Sequence, residues 1–432
     1  MKVLIVGSGA REHALGWAIS RSPQCTDLLF APGNGGTRHL GRNLPITADY
    51  TEGIVAAARG EAVDLVVIGP EAPLVAGLAD ALREHGIAVF GPGADGAQLE
   101  GSKHYAKQFM EAATIPSAKY ASFTEAEPAV AYVRAHGAPI VIKADGLAAG
   151  KGVVVASSVA EAEDAIHSML DAGTFGAAGS SIVIEEYLDG VEATVMALVA
   201  GDRYEILATS RDHKRAYDGD TGPNTGGMGA VSPAPDMSDD VLARVREEIL
   251  TPAIAELARR GIDYRGVLYV GVMICADGPK VVEFNARFGD PETQVIVPRL
   301  QSDVLPVMLD VARGVLDPST PVRWTDKTAV GVVVAASGYP ASVEVGDEIV
   351  IDTSSPELYF HGGTRTLEGK LLTAGGRVVT VVGIGEDIGF ARDCAYNGVK
   401  HIEFRGAWSR SDIPVRSATS AHRSHDAHAA IV

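Results

Sequence analysis

The sequence predicts an α/β chain, α+β overall, divided into three or four lobes. Its 432 residues exceed what one ordinary hydrophobic core serves. Lys2-Val3-Leu4-Ile5-Val6 is a buried-type strand, and Gly7-Ser8-Gly9-Ala10-Arg11-Glu12-His13 turns it into a helix carrying Ala14, Leu15, Trp17, Ala18 and Ile19. That strand, glycine turn, helix shape opens a parallel α/β sheet. Further apolar strands, Asp64-Leu65-Val66-Val67-Ile68 and Ala88-Val89-Phe90, again end in glycine and proline, and the second closes the first lobe.

Bulk properties narrow the function classes. With 37 Lys and Arg against 55 Asp and Glu the formal charge is −18. Such a balance argues against nucleic acid as a partner and requires any phosphate site to be built locally. Cys25, Cys275 and Cys394 stand singly, which predicts neither a disulfide framework nor a structural zinc site and fits a reducing cytoplasm. The N-terminus enters a strand without a signal-type flank, and no apolar run approaches membrane-spanning length. A cytoplasmic, membrane-free monomer is expected.

Taken in order, the first turn departs from a dinucleotide fingerprint at Glu12, and the second strand, Leu28-Leu29-Phe30, runs into Ala31-Pro32-Gly33-Asn34 instead of closing on an acid. A nicotinamide cofactor is therefore discounted. Gly9 and its neighbours still offer N–H groups at a helix N-terminus to a phosphate monoester, or form a tight turn with no ligand. Glu71, just past the Asp64 strand, either holds ribose hydroxyls or simply begins a helix. Ser102 is expected to cap a helix through Phe109, with Lys103 and Lys107 on one face, a spacing that also serves plain solubility.

Pro139-Ile140-Val141-Ile142-Lys143 reads as a strand ending in lysine, followed by the small-residue loop Ala144-Asp145-Gly146-Leu147-Ala148-Ala149-Gly150-Lys151-Gly152 and the strand Val153-Val154-Val155. Such a loop can fold over phosphates, although it lacks the Gly-Lys-Ser/Thr of a P-loop. Ser181-Ile182-Val183-Ile184-Glu185-Glu186-Tyr187-Leu188 is a strand breaking into an acidic, aromatic bend whose freed backbone can read an adenine edge.

Residues 210–215 and 220–229 show neither helical nor strand periodicity and are read as functional loops. A helix capped by Ser238 carries Val241, Val245 and Ile249, is expected to kink at Pro252 and ends at Gly261. Residues 268–274 and 280–284 form a hairpin across Asp277-Gly278, which is expected to set Glu283 and Asn285 on an inner strand. These two lie two apart and so leave one face, where their oxygens can share a hard cation. The same pattern also fits a polar strand end before a turn. Beyond residue 327, residues 329–336 read as a strand, residues 371–379 as a hairpin and residues 387–399 as a helix. The tail from Ser417 is expected to be disordered, its His422, His425 and His428 included.

Together, Gly101-Ser102-Lys103, residues 141–152, Glu185-Glu186-Tyr187-Leu188 and Glu283-Phe284-Asn285-Ala286-Arg287 resemble the ATP-grasp superfamily. Within it, residues 7–15, 31–34, 69–74, 212–215, 221–229 and 288–293 resemble the phosphoribosylamine-glycine ligase family, also called glycinamide ribonucleotide synthetases. The resemblance runs from residue 1 to about residue 415. It implies an ATP-grasp fold: a Rossmann-like domain at 1–101, an ATP-grasp domain at 102–326 with a mobile lid at 121–194, and a small C-terminal α/β domain at 327–416, before the tail at 417–432. It also implies a reaction in purine biosynthesis, in which glycine, ATP and 5-phosphoribosylamine give glycinamide ribonucleotide, ADP and phosphate through a glycyl phosphate, assisted by magnesium or manganese.

By the same resemblance Lys103, Lys143, Gly150 and Gly152 face ATP phosphates, Glu185, Glu186, Tyr187 and Leu188 the adenine, and Glu192 the ribose. Glu283 and Asn285 match the metal positions and Arg287 the γ-phosphate position. Asp212, Lys214, Thr225, Gly226 and Gly227 line the glycine and acyl-phosphate site, with Gly9, Arg11 and Glu71 toward phosphoribosylamine and Asp290 among the substrate-binding residues. Two departures stand out. Tyr269 and Gly271 occupy the stretch where many ATP-grasp enzymes carry a further acidic metal ligand, which leaves part of the shell to water. Arg410-Ser411-Asp412-Ile413-Pro414 replaces the family's usual Asp-Ile-Gly ending.

Overall fold

The computed structural model describes residues 1–148, 152–172, 176–317, 322–352 and 354–414. The N-terminal segment builds a parallel sheet in the order Arg42–Asn43, Asp27–Pro32, Lys2–Gly7, Leu65–Ile68, Ala88–Phe90. Val3 and Ile5 enter one apolar cluster while Leu4 and Val6 enter another, as a strand covered on both faces requires. The order runs outward both ways from Lys2–Gly7, so the crevice at the carboxyl ends of Lys2–Gly7 and Leu65–Ile68 is the switch point where such sheets take ligands. Glu12 fills the floor of this crevice. A Cβ built on Gly7 or Gly69 would meet its side chain at 2.7 or 2.0 Å. Its Oε2 accepts the Gly9 N–H at 2.5 Å, so the donor expected to face a phosphate is already used.

Residues 120–186 form a self-contained unit. Its antiparallel sheet runs Tyr120–Phe123, Ile182–Glu186, Ile140–Ala144, Val153–Ala156. The helices Ala126–His136 and Val159–Leu170 close one face around Val133, Ile142, Ile166 and Ile184. The unit thus has a small apolar core of its own.

A second antiparallel sheet, Arg203–Ile206, Val191–Ala200, Arg265–Cys275, Gly278–Asn285, carries Glu283 and Asn285 on its last strand. The expectation of an inner strand is corrected: Gly278–Asn285 is the sheet's edge, covered where the Val281 N–H donates to Pro116 O at 2.8 Å. At that point a loop, and not a further strand, covers the edge. The helical run after the Ser238 cap shifts from α at Asp239–Arg244 to π at Val245–Leu250 and resumes α at Thr251–Arg259. Pro252 thus falls in the first turn of the last segment, where a missing N–H costs least.

The third sheet joins distant parts of the chain: Arg211–Asp212, Gly229–Ser232, Thr328–Ala335, Arg377–Gly385, Leu358–His361. Residues 210–229, read as loops, therefore contain short strands, including the hairpin Arg215–Tyr217 with Thr221–Asn224. The expected hairpin at 371–379 is also corrected. Lys370–Thr373 pairs backwards with Thr364–Leu367, whereas Arg377–Gly385 belongs to the third sheet. Helix Ile388–Val399, capped by Asp387, packs on that sheet. The histidine-bearing tail lies outside the described residues. Among the described residues no helix is long and apolar enough to cross a membrane.

Candidate functional site

A cavity of about 440 Å³ lies where the 120–186 unit, the second sheet and the N-terminal segment meet. One end of it is built by strand periodicity. Lys143 is the penultimate residue of Ile140–Ala144, opposite Ile182–Glu186, and its ammonium reaches Glu185 Oε2 at 2.9 Å and donates to Val282 O at 3.0 Å. The Ser102 cap starts the helix Lys103–Ala112, and Lys103 donates to Gly146 O at 3.1 Å. Burial lowers the Lys103 pKa, with Glu283 opposing. Lys107, read as a possible solubility residue, is 2% exposed and turned inward. It pairs with the other Glu185 oxygen at 3.3 Å. Glu186, Tyr187, Leu188 and Gly152 line the same end. Gly150 lies outside the described residues.

At the other end the bulge opposite Gly271 and Val272 leaves Glu283 and Asn285 on one face, Asn285 Nδ2 lying 3.5 Å from Glu283 Oε1. Burial pushes the Glu283 pKa up, but Lys214, Lys143, Lys103 and Arg287 outweigh it and hold the carboxyl at about 2. Lys214 Nζ bridges Glu192 and, at 3.6 Å, Glu283. Burial would deprotonate Lys214, but Asp212, Glu192 and Glu283 keep its pKa raised. Asp212 is raised by burial and by the Glu292, Glu192 and Glu283 charges, against Lys214. Tyr269 stands in the stretch where many ATP-grasp enzymes carry a further acid, and its hydroxyl donates to Glu292 Oε1 at 2.8 Å.

Among the described residues no group of three or more His, Cys, Asp or Glu side chains forms a metal cage. The donors present, one ionised carboxylate and one amide that offers oxygen when turned about, fit a hard cation that takes its other ligands from phosphates and water. The described residues lining the cavity include no serine, cysteine or histidine. Cations around an anion site, with no serine, cysteine or histidine nucleophile among them, suit phosphoryl and acyl transfer by positioning and charge neutralisation.

Arg287 is held between Glu100 Oε1 at 2.7 Å and Glu71 Oε2 at 3.3 Å. Burial raises Glu100 to about 7, against the Arg287 charge and with help from Glu71. Arg11 donates to Glu12 at 2.6 Å and to Phe288 O at 2.9 Å. Asp290 pairs with Arg377 at 3.2 Å. Thr225 and Gly226 reach the cavity, whereas Gly9 lines a second cavity of about 390 Å³ that shares Asp290 and Arg377 with the first. Gly227 lines neither. Its φ of +113° and the 2.4 Å approach of a built Cβ to Pro291 make it a backbone requirement of the loop. Sequence reasoning missed Glu100 and Arg377, and read Lys107 as ambiguous. Only Lys107 carried a local signal, its spacing from Lys103.

Comparison with known proteins agrees with this geometry. The chain matches the phosphoribosylglycinamide synthetase N domain over residues 1–100, the ATP-grasp (A) domain over 101–293 and the C domain over 329–416. It is 50% identical to a phosphoribosylamine-glycine ligase of Allochromatium vinosum, covering 96% of this chain and 99% of that protein. A Xanthomonas campestris protein of the same name is 48% identical over 99% of this chain and all of its own length, 100%. The crystal structure of the Thermotoga maritima phosphoribosylamine-glycine ligase superposes with a TM-score of 0.84 at 36% identity, covering 95% of this chain and 100% of that one. A biotin carboxylase domain from Hydrogenobacter thermophilus shares the fold at a TM-score of 0.73 and 14% identity, covering 94% of this chain and 91% of that one.

Proposed function

This chain belongs to the phosphoribosylglycinamide synthetase family, and from that premise we propose that it joins glycine to 5-phosphoribosylamine with cleavage of ATP, giving glycinamide ribonucleotide, ADP and phosphate in purine biosynthesis. The observation that carries the reading is the ionised Glu283 ringed by Lys103, Lys143, Lys214 and Arg287, next to a loop that can hold a small acid.

In the proposed sequence Lys103 and Lys143 hold the phosphates, with Glu185 and the backbone at Tyr187 and Leu188 toward the adenine and Glu192 toward the ribose. Glu283 and Asn285 would hold a divalent cation, magnesium with manganese as a substitute, which when bound neutralises phosphate charge. The glycine carboxylate, lined by Lys214, Thr225 and Gly226, attacks the γ-phosphorus. The bond to the β-bridging oxygen breaks and ADP leaves with its electrons. Arg287, braced by Glu71 and Glu100, faces the charge that gathers on the transferring group. The amine of phosphoribosylamine, near Arg11 and Asp290, then attacks the carbonyl carbon. The C–N bond forms, phosphate departs and the amine proton is lost. Asp212, made more basic by burial among carboxylates, is suited to accept that proton.

The lid unit closes over ATP, and the enzyme works as a cytoplasmic monomer. ADP release measured with glycine, alanine and serine, each with and without phosphoribosylamine, tests the reading. Turnover that requires both glycine and phosphoribosylamine is expected. Release indifferent to glycine would overturn it.

A further inference from the structure

The Arg410-Ser411-Asp412 stretch, which departs from the family pattern only after Ile413, has no part in the chemistry above. It nonetheless holds a fully buried guanidinium: the Arg410 side chain is 0% exposed. Its Nε and Nη2 donate to the two Asp412 oxygens at 2.7 and 2.9 Å, a bidentate pair. The remaining Nη1 leaves this partner and donates to Asp220 Oδ1 at 2.8 Å and to the Arg215 carbonyl at 3.0 Å. Asp412 in turn accepts the Gly219 N–H at 2.8 Å. Asp218 accepts the Ser411 N–H at 2.9 Å and the Ser411 hydroxyl. Every one of these partners outside the 410–412 stretch lies on the Arg215–Tyr217 and Thr221–Asn224 hairpin or its turn, and that turn is otherwise exposed to solvent.

The base of the same hairpin is the acid-substrate site. Lys214 precedes Arg215, and its carbonyl accepts both the N–H and the hydroxyl of Thr225 at 2.8 Å. The His213 N–H donates to Gly229 O at 2.9 Å, and the Met228 N–H returns to His213 O at 2.8 Å. Asp212, Lys214, Thr225 and Gly226 on this base line the cavity. A short hairpin whose tip hangs in solvent would fray, and its two ends carry the groups that must be held still.

We propose that Arg410, with Asp412 and Asp218, is a positioning latch: the C-terminal lobe grips the hairpin tip and thereby sets Lys214 and the 225–229 loop for the small acid, without touching substrate. The latch rests on the functional reading above only for the identity of that acid.

The test uses the full chain and three variants, Arg410→Met, Arg410→Lys and Asp218→Ala. Hydrogen exchange of peptides covering 213–229 is followed without substrates, and KM values are measured for glycine and for ATP. Arg410→Met is expected to speed exchange at 213–229 and to raise the glycine KM about tenfold, with the ATP KM changed less than about twofold. Arg410→Lys keeps the charge but not the fork, so it should recover only part of the loss. Asp218→Ala removes surface contacts and strands no buried charge, so it decides the matter if Arg410→Met fails to fold. It is expected to speed exchange at 213–229 as well. Unchanged exchange in the folded variants, or an ATP KM that rises in step with the glycine KM, would overturn the latch. A wild-type chain whose ADP release ignores glycine would overturn the substrate instead, and the exchange result would still judge the latch.

Discussion

Replacing Glu283 by glutamine keeps its volume and removes one negative charge from a ring of four cations. The structure holds this carboxyl at about 2, well under an ordinary glutamate, because Lys214, Lys143, Lys103 and Arg287 outweigh its burial. A depression of that size corresponds to at most about 3 kcal/mol. The side chain is 35% exposed to the cavity, and solvent screening there leaves about 1–2 kcal/mol of stability. That contribution is present above the unfolded carboxyl pKa and is lost as pH falls toward the folded value of about 2, so wild type and variant should converge in acid. The cost to turnover is larger. A carboxylate that holds cationic charge against the transferring phosphoryl group contributes about 4 kcal/mol in the transition state, roughly a thousandfold in kcat. Urea unfolding at neutral pH and ADP release at saturating magnesium measure the two effects on one preparation. A rate within about tenfold of wild type, or a stability loss that matches the rate loss, would refute the assignment.

Other outcomes follow from the same geometry. Lys143→Met strands Glu185 with Lys107 alone and removes the phosphate contact proposed for Lys143, so the ATP KM should rise by about tenfold or more, and an unchanged value would speak against the proposed nucleotide end. Hydrogen exchange across residues 121–194 should slow when an ATP analogue binds, and equal exchange with and without nucleotide would count against a closing lid. Glu100 has a folded pKa of about 7, raised by burial, so its contribution to stability falls as pH climbs from the unfolded glutamate range through 7. Glu100→Gln should abolish that part of the slope, about 1–3 kcal/mol between pH 5 and 8 by urea midpoints, and a slope identical to wild type would contradict it.

Much of this was legible in residue order. Lys2–Gly7 and Leu65–Ile68 announce a buried parallel sheet because their apolar runs lack a polar face and end in glycine. Glu283 and Asn285 could be set on one face because period two is a local property of a strand. What stayed hidden was non-local. Arg211–Asp212 is a strand only because Gly229–Ser232 lies between it and Thr328–Ala335, a pairing across about a hundred residues of chain that leaves no trace in local alternation. Lys370–Thr373 and Arg377–Gly385 look like one hairpin, yet each finds a different sheet. Lys107 shares a face with Lys103, but spacing does not say whether that face meets water or Glu185. Glu100, Arg377 and Arg410 act at long range, each bonded to a segment far along the chain.

Transfer of a heavy oxygen isotope from the carboxylate of glycine to inorganic phosphate, followed during turnover with ATP and phosphoribosylamine, is the most direct measurement. A carboxylate that attacks the γ-phosphorus leaves one of its oxygens behind when the amine displaces the phosphate. Each phosphate released from fully labelled glycine should therefore carry a single heavy oxygen. Unlabelled phosphate, formed at the same rate as product, would contradict an acyl phosphate in this cavity.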